Sequence, residues 1–243
     1  MSEISHPSIL EVWKAAANEV LKPSSSRDFF VLVAGSELDT TDHAVRNLDR
    51  VAQIVGAGRP NAVADMILPR AVMHADGPLA ARLEAGWAFL GRSRRTGIRF
   101  SGWKHTYFER LTRTHALANG TYRSFGENRL KSIVEKLGAW STSSAAAMYA
   151  PTAHPDDAIR KLGAPCLQYV QFRALPDGGL KVFALYRSHE YFDKALGNLI
   201  GLDRLGRFVA EEVNRVYVGQ TVFSINPMTM ASKAKLREYV DAI

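Results

Sequence analysis

Apolar positions recur at helical spacing over residues 8–21, where Ile9, Leu10, Val12, Trp13, Ala16, Val20 and Leu21 gather on one side of a helix. Pro23 and the serines at 24–26 end it. Residues 29–33 read as a short buried strand. A second helix is expected from a Thr40-Thr41-Asp42 cap to about Val55. The turn Gly56-Ala57-Gly58-Arg59-Pro60 follows, without the strand and helix that a dinucleotide-binding loop needs around it. Residues 78–90 predict another helix, with Pro78 at its start and Gly91 past its end. Further helices are expected over 105–116 and 127–137, the latter stopped by Gly138.

The pattern then changes. Residues 166–174 and 180–187 are apolar or aromatic runs on either side of Pro176-Asp177-Gly178-Gly179, the signature of a β-hairpin. A long helical pattern covers about 192–215, a strand lies near 217–225, and a short helix covers 231–241. Sheet-rich and helical stretches without regular alternation predict an α+β fold, with a mixed sheet, flanking helices and a long core helix. No internal repeat or linker interrupts the chain. Its 243 residues, 47% of them apolar, suit one domain over 1–243 with a sizeable core.

Mixed charge and ordinary hydrophobicity exclude wholesale disorder. No apolar run approaches the ~20 residues that span a bilayer, and residues 1–7 lack a signal-peptide pattern. Cys166 is the sole cysteine, so no intramolecular disulfide can form, and a reducing cytoplasm is the expected location. A net charge of +7 favours anionic partners such as nucleotides, other phosphate esters or nucleic acid. The densest basic cluster, Gly91-Arg92-Ser93-Arg94-Arg95-Thr96-Gly97, reads as a solvated loop ahead of a phosphate or RNA site.

The hairpin carries the candidate chemistry. With Asp177 and Gly178 as the two turn residues, Cys166 lies opposite His189 and Gln168 opposite Arg187, all four on one face. Cys166 is then diagonal to Arg187, whose charge favours the thiolate and predicts a thiol titrating below its ordinary range. Arg187 and the Ser188 hydroxyl together suit an anionic substrate group. The plain alternatives are a packed cysteine on an apolar strand and a surface ion-pair arginine. A Cys166–His189 hydrolase pair lacks a third orienting group and a nucleophile elbow.

A wider pattern adds to this. Pro165-Cys166 followed by Gln171-Phe172 resembles the nucleophile segment of the thymidylate synthases. Arg187-Ser188-His189-Glu190 resembles that family's Arg-Ser-x-Asp segment, with Glu for Asp, and Asn198, eleven residues after Arg187, matches its base-reading asparagine. Glu84-Ala85-Gly86-Trp87 resembles the helix carrying the family's catalytic glutamate, and Phe125-Gly126, with Arg129 nearby, resembles its Tyr-Gly segment. The resemblance covers about 164–225, extends more weakly back to about 78, and leaves a divergent region over about 1–75.

The resemblance implies transfer of a methyl or hydroxymethyl unit from methylenetetrahydrofolate to carbon 5 of a pyrimidine nucleotide or related derivative. Cys166 attacks carbon 6, which makes carbon 5 nucleophilic, and Glu84 moves protons through ordered water. Arg187 and Ser188 bind phosphate. Asn198 matches the adjacent carbonyl and N–H of uracil, since its amide both donates and accepts. Gln171 joins the substrate-binding set, and Glu190 takes the carboxylate position associated with folate. A homodimer with sheets packed face to face is also implied. Each residue has a plain alternative: a solvent-facing charge for Glu84, a turn or cap for Asn198, a structural role for Gln171.

Departures accompany the match. The paired phosphate arginines align with Ser143-Ser144, the histidine after the nucleophile with Leu167, the glutamine before Arg-Ser with Tyr186, and the His-x-Tyr motif with Thr229-Met230-Ala231. Arg46, Arg59 and Arg70 are the candidates for an N-terminal phosphate arm, with Arg92, Arg94, Arg95 and Arg123 also available. Charge-assisted hydrogen bonds of ~1.5–3 kcal/mol each are at stake, so other arginines compensate or the substrate differs. The competing expectation is a non-catalytic nucleotide- or RNA-binding protein on the same scaffold.

Overall fold

Ser8 starts the first helix by accepting the Glu11 N–H at its hydroxyl, and that helix closes just before Pro23. The computed structural model describes residues 2–23, 28–37, 42–95, 106–112, 114–116, 122–124, 128–140, 147–153, 157 and 164–243. Thr40-Thr41, Thr96-Gly97, Phe125-Gly126 and Ser143-Ser144 lie outside them.

The elements run β1 (Ser2–His6), α1 (Ile9–Leu21), β2 (Phe30–Ala34), α2 (Asp42–Val55), α3 (Pro60–Ala64), α4 (Arg70–His74) and α5 (Leu79–Arg95). Next come α6 (Tyr107–Thr112), β3 (Thr114–Ala116), β4 (Tyr122–Ser124), α7 (Arg129–Gly138) and β5 (Ala147–Pro151). The last part holds β6 (Leu167–Ala174), β7 (Gly179–Tyr186), β8 (His189–Glu190), α8 (Ala195–Glu212), β9 (Val216–Ser224), β10 (Pro227–Met228) and α9 (Lys233–Ala242).

Six strands make a mixed sheet in the order β1-β2-β9-β7-β6-β5. β1/β2 and β7/β9 pair in parallel; β2/β9, β6/β7 and β5/β6 pair antiparallel. The inward positions Leu32, Val170, Phe172, Val182 and Val222 are fully buried with Trp13 of α1 and Leu199 and Phe208 of α8. α8 is buried nearly all round, as a helix between a sheet and another helix must be. Its close neighbour is α3: a Cβ on Gly197 would lie 2.5 Å from the Val63 Cβ and 2.6 Å from the Pro60 carbonyl. Glycine is what lets the helices approach so closely, and the approach brings Val63 and Met66 to the first turn of α8.

The opposite sheet face is only partly covered. Val31, Val33, Phe183, Leu185 and Phe223 are half-buried there, and Tyr149 is 64% exposed, stacked on Tyr169 at 5.8 Å. No helix among the described residues is long and apolar enough to cross a membrane.

The hairpin departs from the expected register. Its loop is Pro176-Asp177-Gly178: Leu175 N–H donates to the Gly179 carbonyl at 2.8 Å, and Gly178 has φ +88°. This is a three-residue loop with glycine in the left-handed position, where a two-residue Asp177-Gly178 turn was expected. The register shifts again near Gln168, between Leu167 and Tyr169. The two shifts place Arg187 beside Cys166, with its N–H donating to the Cys166 carbonyl at 2.9 Å. They also remove the predicted Cys166/His189 and Gln168/Arg187 pairings.

Other differences are local. α5 continues through Gly91 to Arg95, so the start of the basic cluster is helical; one glycine costs a helix only ~1 kcal/mol. The helix expected over 105–116 ends at Thr112 and gives way to β3. β1, β5 and the short helices α3 and α4 carry too few residues for periodicity to announce them.

A candidate active site around Cys166

Cys166 sits just before β6, in a backbone held from several directions. The Tyr107 hydroxyl oxygen accepts the N–H groups of both Cys166, at 3.2 Å, and Leu167, at 3.1 Å. Thr152 donates its hydroxyl to the Leu167 carbonyl. The Thr152 carbonyl is in turn held by Arg110 at 3.0 Å, and Arg110 is ion-paired with buried Asp157 at 2.8 Å. Arg187 grips the other side, donating from Nε to the Pro165 carbonyl at 3.0 Å and from Nη2 to the Ala164 carbonyl at 2.8 Å.

Cys166 opens onto a cavity of about 50 Å³ lined by Val63, Met66, Tyr107, Ser188, Glu190, Lys194 and Asn198. Four sequence candidates, Cys166, Ser188, Glu190 and Asn198, therefore meet in one place. Asn198 lies in the first turn of α8, its N–H bonded to the Lys194 carbonyl at 2.8 Å. It is a helical residue, not a turn residue, and Gly197 before it is a packing glycine. The Asn198 side chain is 6% exposed and makes no hydrogen bond among the described residues. Ser188 Oγ donates to Met228 Sδ at 3.3 Å. Glu190 caps the turn into α8, accepting from Phe192 N–H at 3.0 Å, Asp193 N–H at 2.6 Å and Met230 N–H at 3.2 Å.

The other candidates lie outside the cavity lining. Glu84 is exposed on α5. Gln171 is on the outer sheet face and accepts from the Tyr169 hydroxyl. Arg187 is exposed and turned to the two carbonyls. Arg59 and Arg70 line a separate cavity of about 90 Å³ with Asp49, Ala62, Asp65, Phe89 and Ser93. There Arg70 is ion-paired with Asp65 at 2.7 Å.

Electrostatics correct a further expectation. Burial pushes the Cys166 thiol above its ordinary value and outweighs the downward pull of Arg187 and Lys194. The anticipated low-titrating thiol is not what this environment produces. His189 is fully buried and stacked on Tyr186 at 4.3 Å, and neither ring nitrogen has a hydrogen-bond partner among the described residues; burial pushes its pKa down to about 3. It cannot act as the base of a hydrolase pair. The consecutive N–H groups of Cys166 and Leu167, which would make an oxyanion hole, are taken by Tyr107, so the site is not set up for acyl transfer either. Among the described residues no group of three or more His, Cys, Asp or Glu side chains is placed to hold a metal.

Sequence reading did not single out Tyr107 or Lys194. Lys194 had a usable signal, since it lies four residues before Asn198 and shares its helix face. Tyr107 had none, being 59 residues from Cys166.

No protein-family model matches this chain, and no curated protein sequence matches it. Its architecture is nonetheless recognisable: the chain has a thymidylate synthase-like fold. It is similar to the thermostable thymidylate synthase A from Bacillus subtilis, with a TM-score of 0.58 and 10% identity, over 96% of this chain and 84% of that one. It is also similar to the thymidylate synthase from T4 phage, with a TM-score of 0.52 and 13% identity, over 93% and 79% of the respective chains.

Proposed function

We propose that the protein transfers a one-carbon unit to carbon 5 of a pyrimidine nucleotide or related derivative, through covalent attack by Cys166 on carbon 6. The observation that carries this reading is the meeting of Cys166 with the unbonded, buried amide of Asn198 in one cavity of a thymidylate synthase-like fold. The thiol supplies the nucleophile. The amide offers one donor and one acceptor, the complement of the adjacent N–H and carbonyl of uracil. Tyr107 and Arg187 hold the nucleophile's backbone, and Ser188 adds a hydroxyl at the cavity wall.

Methylenetetrahydrofolate is the donor that the resemblance implies. The carboxylate that the resemblance assigns to folate does not fit that role in this arrangement: Glu190 is engaged by the backbone N–H groups of Phe192, Asp193 and Met230. The chemistry assigned to this chain's own residues is therefore addition of Cys166 at carbon 6 and the consequent activation of carbon 5. Glu84 and Gln171 lie outside the lining of this cavity. The partly covered sheet face with Phe183, Leu185 and Phe223 supports pairing of two copies sheet to sheet; a monomer in sedimentation at micromolar concentration would count against that pairing.

Tritium release from uracil and cytosine nucleotides labelled at carbon 5, measured with and without methylenetetrahydrofolate, tests the function. Release is expected from a uracil nucleotide and is lost in Cys166→Ser. Release that survives this substitution rejects Cys166 as the nucleophile. Nucleotide binding without any release, unchanged in Cys166→Ser, favours a non-catalytic binding protein.

A further inference from the structure

Lys194 immediately precedes α8, and Asn198 follows it by one helical turn, so the two side chains stand on the same side of the helix start. Both line the cavity that holds Cys166. Among the described residues lining it, Lys194 is the cation and Glu190 the carboxylate; Glu190 keeps its charge, but its oxygens face the N–H groups of Phe192, Asp193 and Met230. Arg187 bonds the carbonyls of Ala164 and Pro165 and acts on the sulfur through its charge, while Lys194 is the cation in the cavity wall itself. The N-terminus of the 18-residue α8 adds the positive end of its dipole on the same side. The Asn198 amide, 6% exposed and without a hydrogen bond among the described residues, independently marks this wall as one that meets a ligand.

We propose that Lys194 is a specificity-determining residue of this site, favouring ligands that carry negative charge on the atoms beside Cys166. On the pyrimidine reading above, on which this part rests, the charge arises in the reaction. The thiolate pair forms the sulfur–carbon 6 bond, the carbon 5–carbon 6 π pair moves between carbons 4 and 5, and the carbon 4 carbonyl pair moves onto its oxygen. The negative charge that leaves sulfur reappears on that exocyclic carbonyl oxygen. An ammonium in the same cavity lowers the energy of this charge in the transition state more than that of the neutral ring.

Alkylation of Cys166 by iodoacetate and by iodoacetamide tests the charge directly. The reagents are similar in size and attack the same thiolate, so the ratio of their rates cancels thiol ionisation and reports the field at the sulfur. Lys194→Met is expected to lower the iodoacetate-to-iodoacetamide ratio about fivefold, as removal of one nearby unit charge in a partly solvated site implies. Lys194→Arg is expected to keep the ratio. A ratio unchanged in Lys194→Met with native circular dichroism overturns the proposal. If that variant does not fold, Lys194→Gln carries the same comparison. Neither reagent is a pyrimidine, so failure of the tritium-release experiment leaves this readout standing.

Discussion

Arg187 donates from Nε to the Pro165 carbonyl at 3.0 Å, so the arginine expected to bind a substrate anion instead holds the backbone leading into Cys166. Its second bond, to Ala164, fixes the same turn. Arg187→Ala is expected to lower stability by about 1 kcal/mol, a figure reduced for the exposure of the side chain. It should also move the Cys166 alkylation midpoint to higher pH, because Arg187 is the larger of the two charges drawing the thiol down. Urea denaturation and a pH series with iodoacetamide measure the two effects.

The wild-type thiol should itself titrate above an ordinary free thiol. Burial disfavours the thiolate more than Arg187 and Lys194 favour it. The folded state therefore keeps its proton to higher pH than the unfolded chain. The Cys166 contribution to stability is fully present below the ordinary thiol range and is lost as pH rises from there through the raised folded-state value. Alkylation of the folded protein should lag that of a free thiol at pH 8, and Cys166→Ser should be less sensitive to alkaline denaturation than wild type. A midpoint below that of a free thiol would contradict this account.

Tyr107→Phe removes the acceptor of two backbone N–H groups at the nucleophile. Unsatisfied buried donors cost ~1–3 kcal/mol each, less whatever water recovers. A loss of about 2 kcal/mol in urea denaturation is expected, together with a fall in kcat larger than any change in KM, since the ring still walls the cavity.

Gly197→Ala tests the packing that presents Asn198. The added methyl would meet Val63 and the Pro60 carbonyl at 2.5 and 2.6 Å, and backbone cannot step aside as a flexible side chain can. Overpacking of this kind costs ~1–3 kcal/mol. Thermal unfolding should show the loss, and ligand affinity should fall with it because α3 also carries Val63 to the cavity.

The sheet and its long helix were legible where periodicity is strong. Residues 166–174, 180–187 and 217–225 became β6, β7 and β9, and the pattern over 192–215 became α8. The register was not legible, because a left-handed Gly178 and an irregularity near Gln168 each shift the pairing, and neither changes the apolar pattern that sequence reading follows. The site divides the same way. Cys166, Ser188, Glu190 and Asn198 lie within 33 residues of one another in a continuous hairpin-to-helix stretch, so spacing was enough to bring them together. Tyr107 comes from a distant helix, and the local motif around Glu84 says nothing of which way its helix faces. The thiol's titration is not legible in the sequence, which shows the neighbouring charge but not the depth of burial that opposes it.

Asn198→Asp carries the sharpest test of base recognition. The substitution preserves size and leaves one acceptor where the amide had it, but turns the amide's donor into a second acceptor. Uracil offers a carbonyl beside an N–H, which an amide complements at both positions. Cytosine offers an unprotonated ring nitrogen beside an exocyclic amine, and a carboxylate accepts from that amine. The mismatch with uracil leaves an oxygen facing an oxygen in a buried wall, and unpaired polar groups of this kind discriminate by factors of ~10⁴ or more in sites built around the hydrogen bond. The helix start and Lys194 nearby favour the added negative charge, so Asn198→Asp should fold. Tritium release from carbon 5 should then fall by at least about a hundredfold with a uracil nucleotide and rise relative to it with a cytosine nucleotide. If the folded variant keeps the wild-type preference between the two bases, Asn198 does not read the base, and the cavity beside Cys166 is not where the ring sits.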